Sequence, residues 1–451
     1  MSEFKKSLRA KDLMALSLGA MIGWSWVILT GSMILKAGSL GTLLAFLLGG
    51  TIIVFIGFLY AELAPALPFA GGEHIYTLRA LGRQASFVCS WMVVLAYSSV
   101  VAFEAAALPT ALEYLFPQLF TDPALWQVAG YPVKASHIIV GCGGAVIMTG
   151  INLLGIKVAS SFQRFVTFFI IIAGFCFLFG SGVNGAWTNA SPYIQNGLEG
   201  ILSVMMMVPF FMVGFDVIPQ AAEEVNLPPR RMGIILLVSL VSALLWYILI
   251  AFGVSLAMPR EAILAASVPV PDAAARVGGE WMGKLIMSAG VAGIITSWNS
   301  FLIGGSRAMY AMSHTAMLPR IFSRLSTKYN SPNWAILLIG VLSLAAPLFG
   351  KQAFSWIVNA GSFGLSIVYV LVAISFVVLR KKEPELPRPY KLRFPNFLGI
   401  GGIILALFLM SLYLPIGPSQ LVPIEWAIVG VWITLGYGLW GITQQDKEIQ
   451  P

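Results

Sequence analysis

The chain has 451 residues, 58% of them hydrophobic and 10% charged, with 27 Lys+Arg against 19 Asp+Glu for a net charge of +8. Soluble domains carry about 25% charged residues, and here apolar runs of about 18 residues or more, each long enough to cross a bilayer, recur along the whole length. That composition excludes a soluble fold and predicts a polytopic helical membrane protein whose positive charge is a topology signal, with no nucleic acid implied. Cys89, Cys142 and Cys176 fall in or beside apolar segments and offer neither a disulfide framework nor metal-ligand spacing. His74, His137 and His314 have no partner at ligand spacing either, so no metal or cofactor is expected.

Met1 to Lys11 lacks the apolar core and cleavage site of a signal peptide, so Lys5, Lys6, Arg9 and Lys11 are expected to stay cytoplasmic. Twelve spans are predicted, near 13–36, 40–67, 87–116, 136–155, 157–181, 196–219, 233–258, 283–312, 333–350, 354–380, 397–415 and 423–441. An even count puts both termini on one side. Six of the 27 basic residues (Lys36, Lys134, Arg260, Arg276, Lys284, Lys351) then lie outside and 21 inside, as the positive-inside rule requires.

The first span contains Gly19-Ala20-Met21-Ile22-Gly23-Trp24-Ser25-Trp26-Val27-Ile28-Leu29-Thr30-Gly31. Each glycine weakens a helix by about 0.8–1 kcal/mol relative to alanine. In lipid, freed peptide groups survive only when buried in protein or facing a wet cavity. The segment reads as a helix built to break at mid-membrane; the bland alternative is a packing face with Gly19 and Gly23 as a Gly-x-x-x-Gly pair. Residues 69–85, with Gly71-Gly72, Glu73, Arg79 and Arg83, read as a short amphipathic element on the cytoplasmic surface or as an ordinary loop. Glu62, near the cytoplasmic end of span two, is expected to pair with a loop arginine or cap a helix. Glu104 lies midway through span three, where a carboxylate is a functional candidate or a protonated structural group. Residues 117–135, with Pro117, Asp122, Pro123 and Pro132, form an outer loop.

The sixth span repeats the anomaly. In Met205-Met206-Met207-Val208-Pro209-Phe210-Phe211-Met212-Val213-Gly214-Phe215-Asp216-Val217-Ile218-Pro219, prolines flank Gly214-Phe215-Asp216. Proline removes a helix hydrogen bond and disfavours helical geometry before it, and a carboxylate deep in a span costs roughly 2.5–3.5 kcal/mol. Two broken spans, five apart, are what an inverted repeat with solute held between unwound regions predicts. Residues 383–396 form a Pro-rich basic linker before the last two spans. No Ser/His/Asp, metal or paired-carboxylate constellation appears, and there is no extra soluble domain to house an enzyme.

The residues also carry a resemblance. Tyr60-Ala61-Glu62-Leu63 through Ala70-Gly71-Gly72-Glu73-His74 is similar to a stretch of the amino acid–polyamine–organocation (APC) superfamily. So are Gly214-Phe215-Asp216 with Ala221-Ala222-Glu223-Glu224-Val225, Ser306-Arg307-Ala308-Met309-Tyr310-Ala311-Met312 with Leu318-Pro319, and Leu386-Pro387-Arg388-Pro389-Tyr390. The resemblance implies an all-α integral membrane protein of twelve transmembrane helices with the LeuT fold. Its single domain, 1–451, would divide into a first repeat (12–181), an inverted second repeat (196–380), discontinuous helices 1 and 6, and two additional helices (397–441).

It further implies a substrate site at the breaks, formed by Ile22, Gly23, Trp24, Ser25, Trp26, Phe210, Phe211, Gly214, Phe215 and Asp216. Where the family usually reads G-[ST/A]-G-I-F, this chain reads Gly23-Trp24-Ser25-Trp26-Val27, so a serine replaces the second glycine between two tryptophans. Trp24 or Trp26 would narrow the pocket or stack on a cationic amine, or face lipid and neighbouring helices. Lys157, in Asn152-Leu153-Leu154-Gly155-Ile156-Lys157, is expected to point inward where sodium-coupled relatives hold a cation, or else to snorkel to the cytoplasm. Lys157, Glu104 and Glu62 are the coupling and gating candidates. The expected function is secondary transport of a small amino acid or related amine across the cytoplasmic membrane by alternating access, coupled to protons or counter-substrate and independent of sodium. The alternatives are an amine, amino alcohol or polyamine permease without carboxylate recognition, or a non-translocating sensor. The expected partners are the small-molecule solute and the lipid bilayer, and nothing in the sequence sets an oligomeric state.

Overall fold

The structure is a computed structural model and describes residues 4–448 apart from 129, 416, 418 and 419. The chain opens with α1 (Ala10–Met21), α2 (Ser25–Ile28), α3 (Thr30–Ala37), α4 (Ser39–Ala66), α5 (Glu73–Leu81) and α6 (Arg83–Leu115). An antiparallel hairpin of β1 (Ala124–Val128) and β2 (Tyr131–Lys134) leads into α7 (Ala135–Leu153) and α8 (Ile156–Asn184). Next come α9 (Gly197–Met205), α10 (Val208–Phe211), α11 (Val217–Gln220), α12 (Pro229–Ala257), α13 (Arg260–Ala265), α14 (Pro269–Gly278) and α15 (Glu280–His314). The chain closes with α16 (Asn333–Ala345), α17 (Gly350–Lys382), α18 (Pro395–Ser411) and α19 (Pro423–Glu448).

Among the described residues, eight helices are long and apolar enough to cross a membrane, and three shorter apolar helices accompany them. The first predicted span is in neither set, because it is divided into α1, α2 and α3. The side chain of Lys351, one of the cations expected on the outer side, lies outside the described residues.

Periodicity shows how the helices meet their surroundings. On α8, Phe165, Phe168, Ile172, Phe175 and Phe179 are exposed at helical spacing, while Gln163, Thr167, Ile170, Gly174 and Phe177 are buried on the opposite face. A stripe of bare phenylalanines is tolerable only against lipid. α6 and α15 bury most of their apolar length inside the protein, whereas α7 and α19 leave most of theirs bare. At 1.5 Å per residue, the 35-residue α15 runs about 52 Å, well beyond the hydrocarbon thickness of a bilayer. α6 and α15 form the internal frame, and the other helices are laid around them.

Two expectations gain detail. The segment 117–135 holds a 3-10 turn and the hairpin, whose alternation is too short to stand out among prolines. The element in 69–85 is the short helix α5, which leaves Arg79 exposed but sinks its other face into the protein. Glu73, His74, Tyr76, Thr77 and Ala80 of α5 are buried. The turn before α5 explains this, since Gly71 and Gly72 both have positive φ. A β-carbon on Gly71 would lie 2.3 Å from Ala311 Cβ, and one on Gly72 would lie 2.7 Å from Pro219 Cβ. Only glycines let this turn press against α15 and α11, and the press draws α5 inside.

Candidate functional site

The helix of the first span stops at Met21, and Ile22–Trp24 are non-helical before the single turn of α2. The Tyr247 hydroxyl donates to Met21 O at 2.9 Å, capping the end of α1 from α12. Among the described residues, the N–H groups of Gly23 and Trp24 and the carbonyls of Ile22 and Gly23 have no protein partner. α15 presses on this break: a β-carbon on Gly293 would lie 2.5 Å from Gly23 O, and one on Gly290 would lie 2.9 Å from the Trp24 ring. From the other side comes α6. A β-carbon on Gly23 would lie 3.0 Å from Glu104 Oε1 and 3.1 Å from Ser297 Oγ. The Glu104 Oε2 atom is buried and without a partner. The site therefore sets free peptide N–H groups beside a buried carboxylate.

The second broken segment is divided into α9, α10 and α11, with Met212–Asp216 unwound between the last two. Gly214 has φ +124°, and a β-carbon there would lie 2.5 Å from Ala20 Cβ and 3.1 Å from Met21 N. The two breaks thus lie against each other, in contact through the last turn of α1. Asp216 Oδ1 accepts the Gly214 N–H at 2.9 Å, and Oδ2 is buried without a partner. Phe46 stacks on Tyr247 with centroids 5.4 Å apart, and Phe211 packs on Tyr247 at 5.0 Å, forming an aromatic floor between the breaks. Phe215 meets Tyr60 edge-on at 5.2 Å. The residues of both breaks, Ile22–Trp24 and Met212–Asp216, are buried.

The remaining expected site residues separate. Trp26 is fully buried and packs edge-to-face on Trp246 at 5.5 Å, so its ring serves the helix interface. Ser25 sits in the turn of α2, next to the break. Phe210 is half-buried and turns with Pro209 and Val213 toward Ser362, Tyr369 and Tyr413, away from the first span. Lys157 does not point inward. It is exposed at the start of α8 and lines an open cavity of about 670 Å³ with Lys5, Lys6, Arg9, Arg164 and Lys328. Glu62 accepts hydrogen bonds from Arg380 and from the Leu392 N–H, and Arg388 Nε lies 3.3 Å away, all at the far end of α4. That matches pairing with a loop arginine and sets it apart from the breaks.

Sequence reasoning missed the group that does bind α1 to its neighbours. Gln163, one and a half turns beyond Lys157, donates from Nε2 to Ala15 O (3.2 Å), Thr296 O (3.1 Å) and Ser300 Oγ (3.0 Å). Asn299 donates to Gln163 Oε1, and Asn152 donates to Asn299 Oδ1, each at 2.9 Å. The signal was there: three amide side chains inside otherwise apolar spans.

Below the breaks, the motifs that carried the resemblance meet one another. Arg307 Nε donates to Glu224 Oε1 at 2.8 Å with both side chains buried. The Glu224 carbonyl accepts the N–H groups of Ser7 and Leu8 at 2.8 and 2.9 Å, and Asn226 N–H returns a bond to Leu8 O at 2.8 Å. Phe4 packs edge-on to Tyr310 at 4.7 Å, with the Arg307 guanidinium 5.8 Å from its ring. His74 lies between Ser90 Oγ (2.8 Å) and Thr315 Oγ1 (2.9 Å), and burial, with the Arg83 charge adding, pushes its pKa down to about 3.

A helical membrane protein with two interrupted segments closing on each other around bare peptide groups has the build of a transporter. Residues 8–437 match the amino acid permease family, and the chain belongs to it. It is 27% identical over 439 residues to the branched-chain amino acid permease BcaP of Bacillus subtilis (strain 168), covering 96% of this chain and 93% of that one. The methylthioribose transporter of the same organism is 25% identical (96% and 92% covered), and its aspartate-proton symporter is 26% identical (90% and 79% covered). These relatives are transporters of small molecules, not enzymes.

Proposed function

We propose that this protein is a secondary active transporter that carries a small amino acid across the cytoplasmic membrane by alternating access, coupled to protons. The observation that carries the reading is the first break, where the unbonded N–H groups of Gly23 and Trp24 lie beside the buried Glu104 carboxylate, whose Oε2 has no partner. Peptide N–H groups suit a carboxylate and a buried carboxylate suits an ammonium, so one small zwitterion satisfies both. Ile22, Gly23, Trp24 and Ser25 form one wall of the site; Phe211, Gly214, Phe215 and Asp216 form the other. The chain would make twelve crossings with both termini cytoplasmic, as one domain of two inverted repeats (12–181 and 196–380) followed by two further helices (397–441). Sodium independence is supported by Gln163, whose amide already serves the Ala15 carbonyl of α1 and the Thr296 carbonyl of α15, where a coupling cation would compete.

The second reading is an amine permease with no carboxylate grip. Glu104 and Asp216 favour it, since both are buried acids with an unpartnered oxygen. Thermal-shift and proteoliposome uptake with paired amino acids and their decarboxylated amines decide between the two. Intact amino acids that bind and move, with amines inert and Glu104→Gln abolishing binding, support the first reading. Amines alone moving support the second, and binding without flux makes the protein a sensor.

A further inference from the structure

Beneath the second break, Asp216 of the site wall faces a second buried acid, Glu73, that the solute site does not use. Glu73, at the start of α5, accepts a hydrogen bond from Gln220 Nε2 on α11. Gln220 stands four residues after Asp216, one turn further along the same stretch of chain, so both face the start of α5. Glu73 and Asp216 are fully buried, and each keeps one oxygen without a partner. Four phenols surround them: Tyr60 from α4, Tyr76 from α5, Tyr97 from α6 and Tyr369 from α17. All four hydroxyls are buried with no partner outside the cluster; those of Tyr60 and Tyr97 approach Glu73 and Asp216 respectively, and the remaining titratable neighbour is the Cys89 thiol. No cation faces either carboxylate among the described residues.

Two carboxylates taken out of water with no cation cannot both be charged. A phenol O–H donates to a carboxylate and its oxygen accepts from a carboxylic acid, so this shell serves the pair with or without a proton. We propose that Glu73 and Asp216 share one transported proton and form the coupling site of the carrier. A proton from water on one face binds a carboxylate oxygen of the pair, moves with the closed state, and is released from that oxygen to water on the other face. Burial, with the Asp216 charge adding, holds the Glu73 carboxyl well above the usual carboxylate range, which agrees with a retained proton. The inference rests on the transporter reading but places its coupling ion on α5 and α11.

The test is infrared difference spectroscopy of the full-length protein in nanodiscs, alongside uptake driven by a pH gradient. Wild type minus Glu73→Gln should show a protonated-carboxyl band near neutral pH, and in Asp216→Asn that band should titrate away at least tenfold more readily, about one pH unit lower. Glu73→Gln, which keeps the Gln220 contact, should lose gradient-driven accumulation about tenfold. Absence of the band overturns the proposal, and so does its loss on adding sodium. Unaltered gradient-driven accumulation in Glu73→Gln also overturns it. If no solute moves in any variant the transporter reading fails instead, while the band still reports the proton.

Discussion

Replacing Gly293 by alanine tests the geometry of the first break directly. In the interior of α15 the change should gain about 0.8–1 kcal/mol of helix propensity. The new methyl, however, would sit 2.5 Å from Gly23 O and 3.1 Å from Ile22 O. An ordinary carbon–oxygen approach is about 3.3 Å or more, so the shortfall is roughly 0.8 Å and the obstructing atoms are backbone. Overpacking of this kind costs about 1–3 kcal/mol. The net loss of stability should therefore be only about 0–2 kcal/mol, because propensity offsets part of the strain. These carbonyls share their peptide units with the Gly23 and Trp24 N–H groups assigned to the solute, so affinity should fall tenfold or more, about 1.4 kcal/mol. Ligand-induced thermal shift and proteoliposome uptake measure both effects. Gly182→Ala, whose β-carbon would meet nothing within 4 Å, is the control and should melt no lower and transport normally. Wild-type affinity and uptake in Gly293→Ala, or equal damage in Gly182→Ala, would refute the placement of the site.

Acid should unmask His74. Its folded pKa of about 3 lies below the ordinary 6.5, so the unfolded chain takes up the proton first. The stability due to the neutral ring is complete above about pH 6.5 and is lost as pH falls toward 3, at about 1.4 kcal/mol per unit and up to roughly 5 kcal/mol in all. Melting against pH should be flatter over that window in His74→Gln, and parallel curves would exclude the linkage. Glu62→Gln leaves Arg380 and Arg388 short of their partner and should cost about 3 kcal/mol, read from thermal unfolding; an unchanged melting temperature would show the cluster is solvated. Lys157→Ala should leave uptake and its pH profile unchanged, because the ammonium faces an open cavity. A shifted profile would return it to the mechanism.

The breaks were legible because helices cannot hide their exceptions. Three glycines, Gly19, Gly23 and Gly31, and two prolines around Asp216 contradict the apolar pattern locally, and the structure interrupts both segments at Ile22–Trp24 and Met212–Asp216. Glu104 was legible for the same reason, as a charge where lipid would exclude one. Lys157 misled because sequence gives a residue's place in a span but not its azimuth. The start of α8 turns position 157 to solvent and position 163 to the interior. α5 was illegible in another way, since its burial comes from contacts of Gly71 and Gly72 with residues far along the chain. Likewise no spacing revealed that Glu224 would find Arg307, or Glu62 would find Arg388; only folding brings those motifs together.

The strand-like pairing of Ser7 and Leu8 with the stretch after α11 has a mechanical corollary. It bolts the beginning of the polypeptide to the Glu224–Asn226 segment, with Phe4 wedged beneath Arg307 and Tyr310 as the tongue. Any cycle that parts α1 from α11 on that face must first draw the bolt. Trimming residues 4–8 would leave the buried Arg307–Glu224 ion pair to hold that segment against α15.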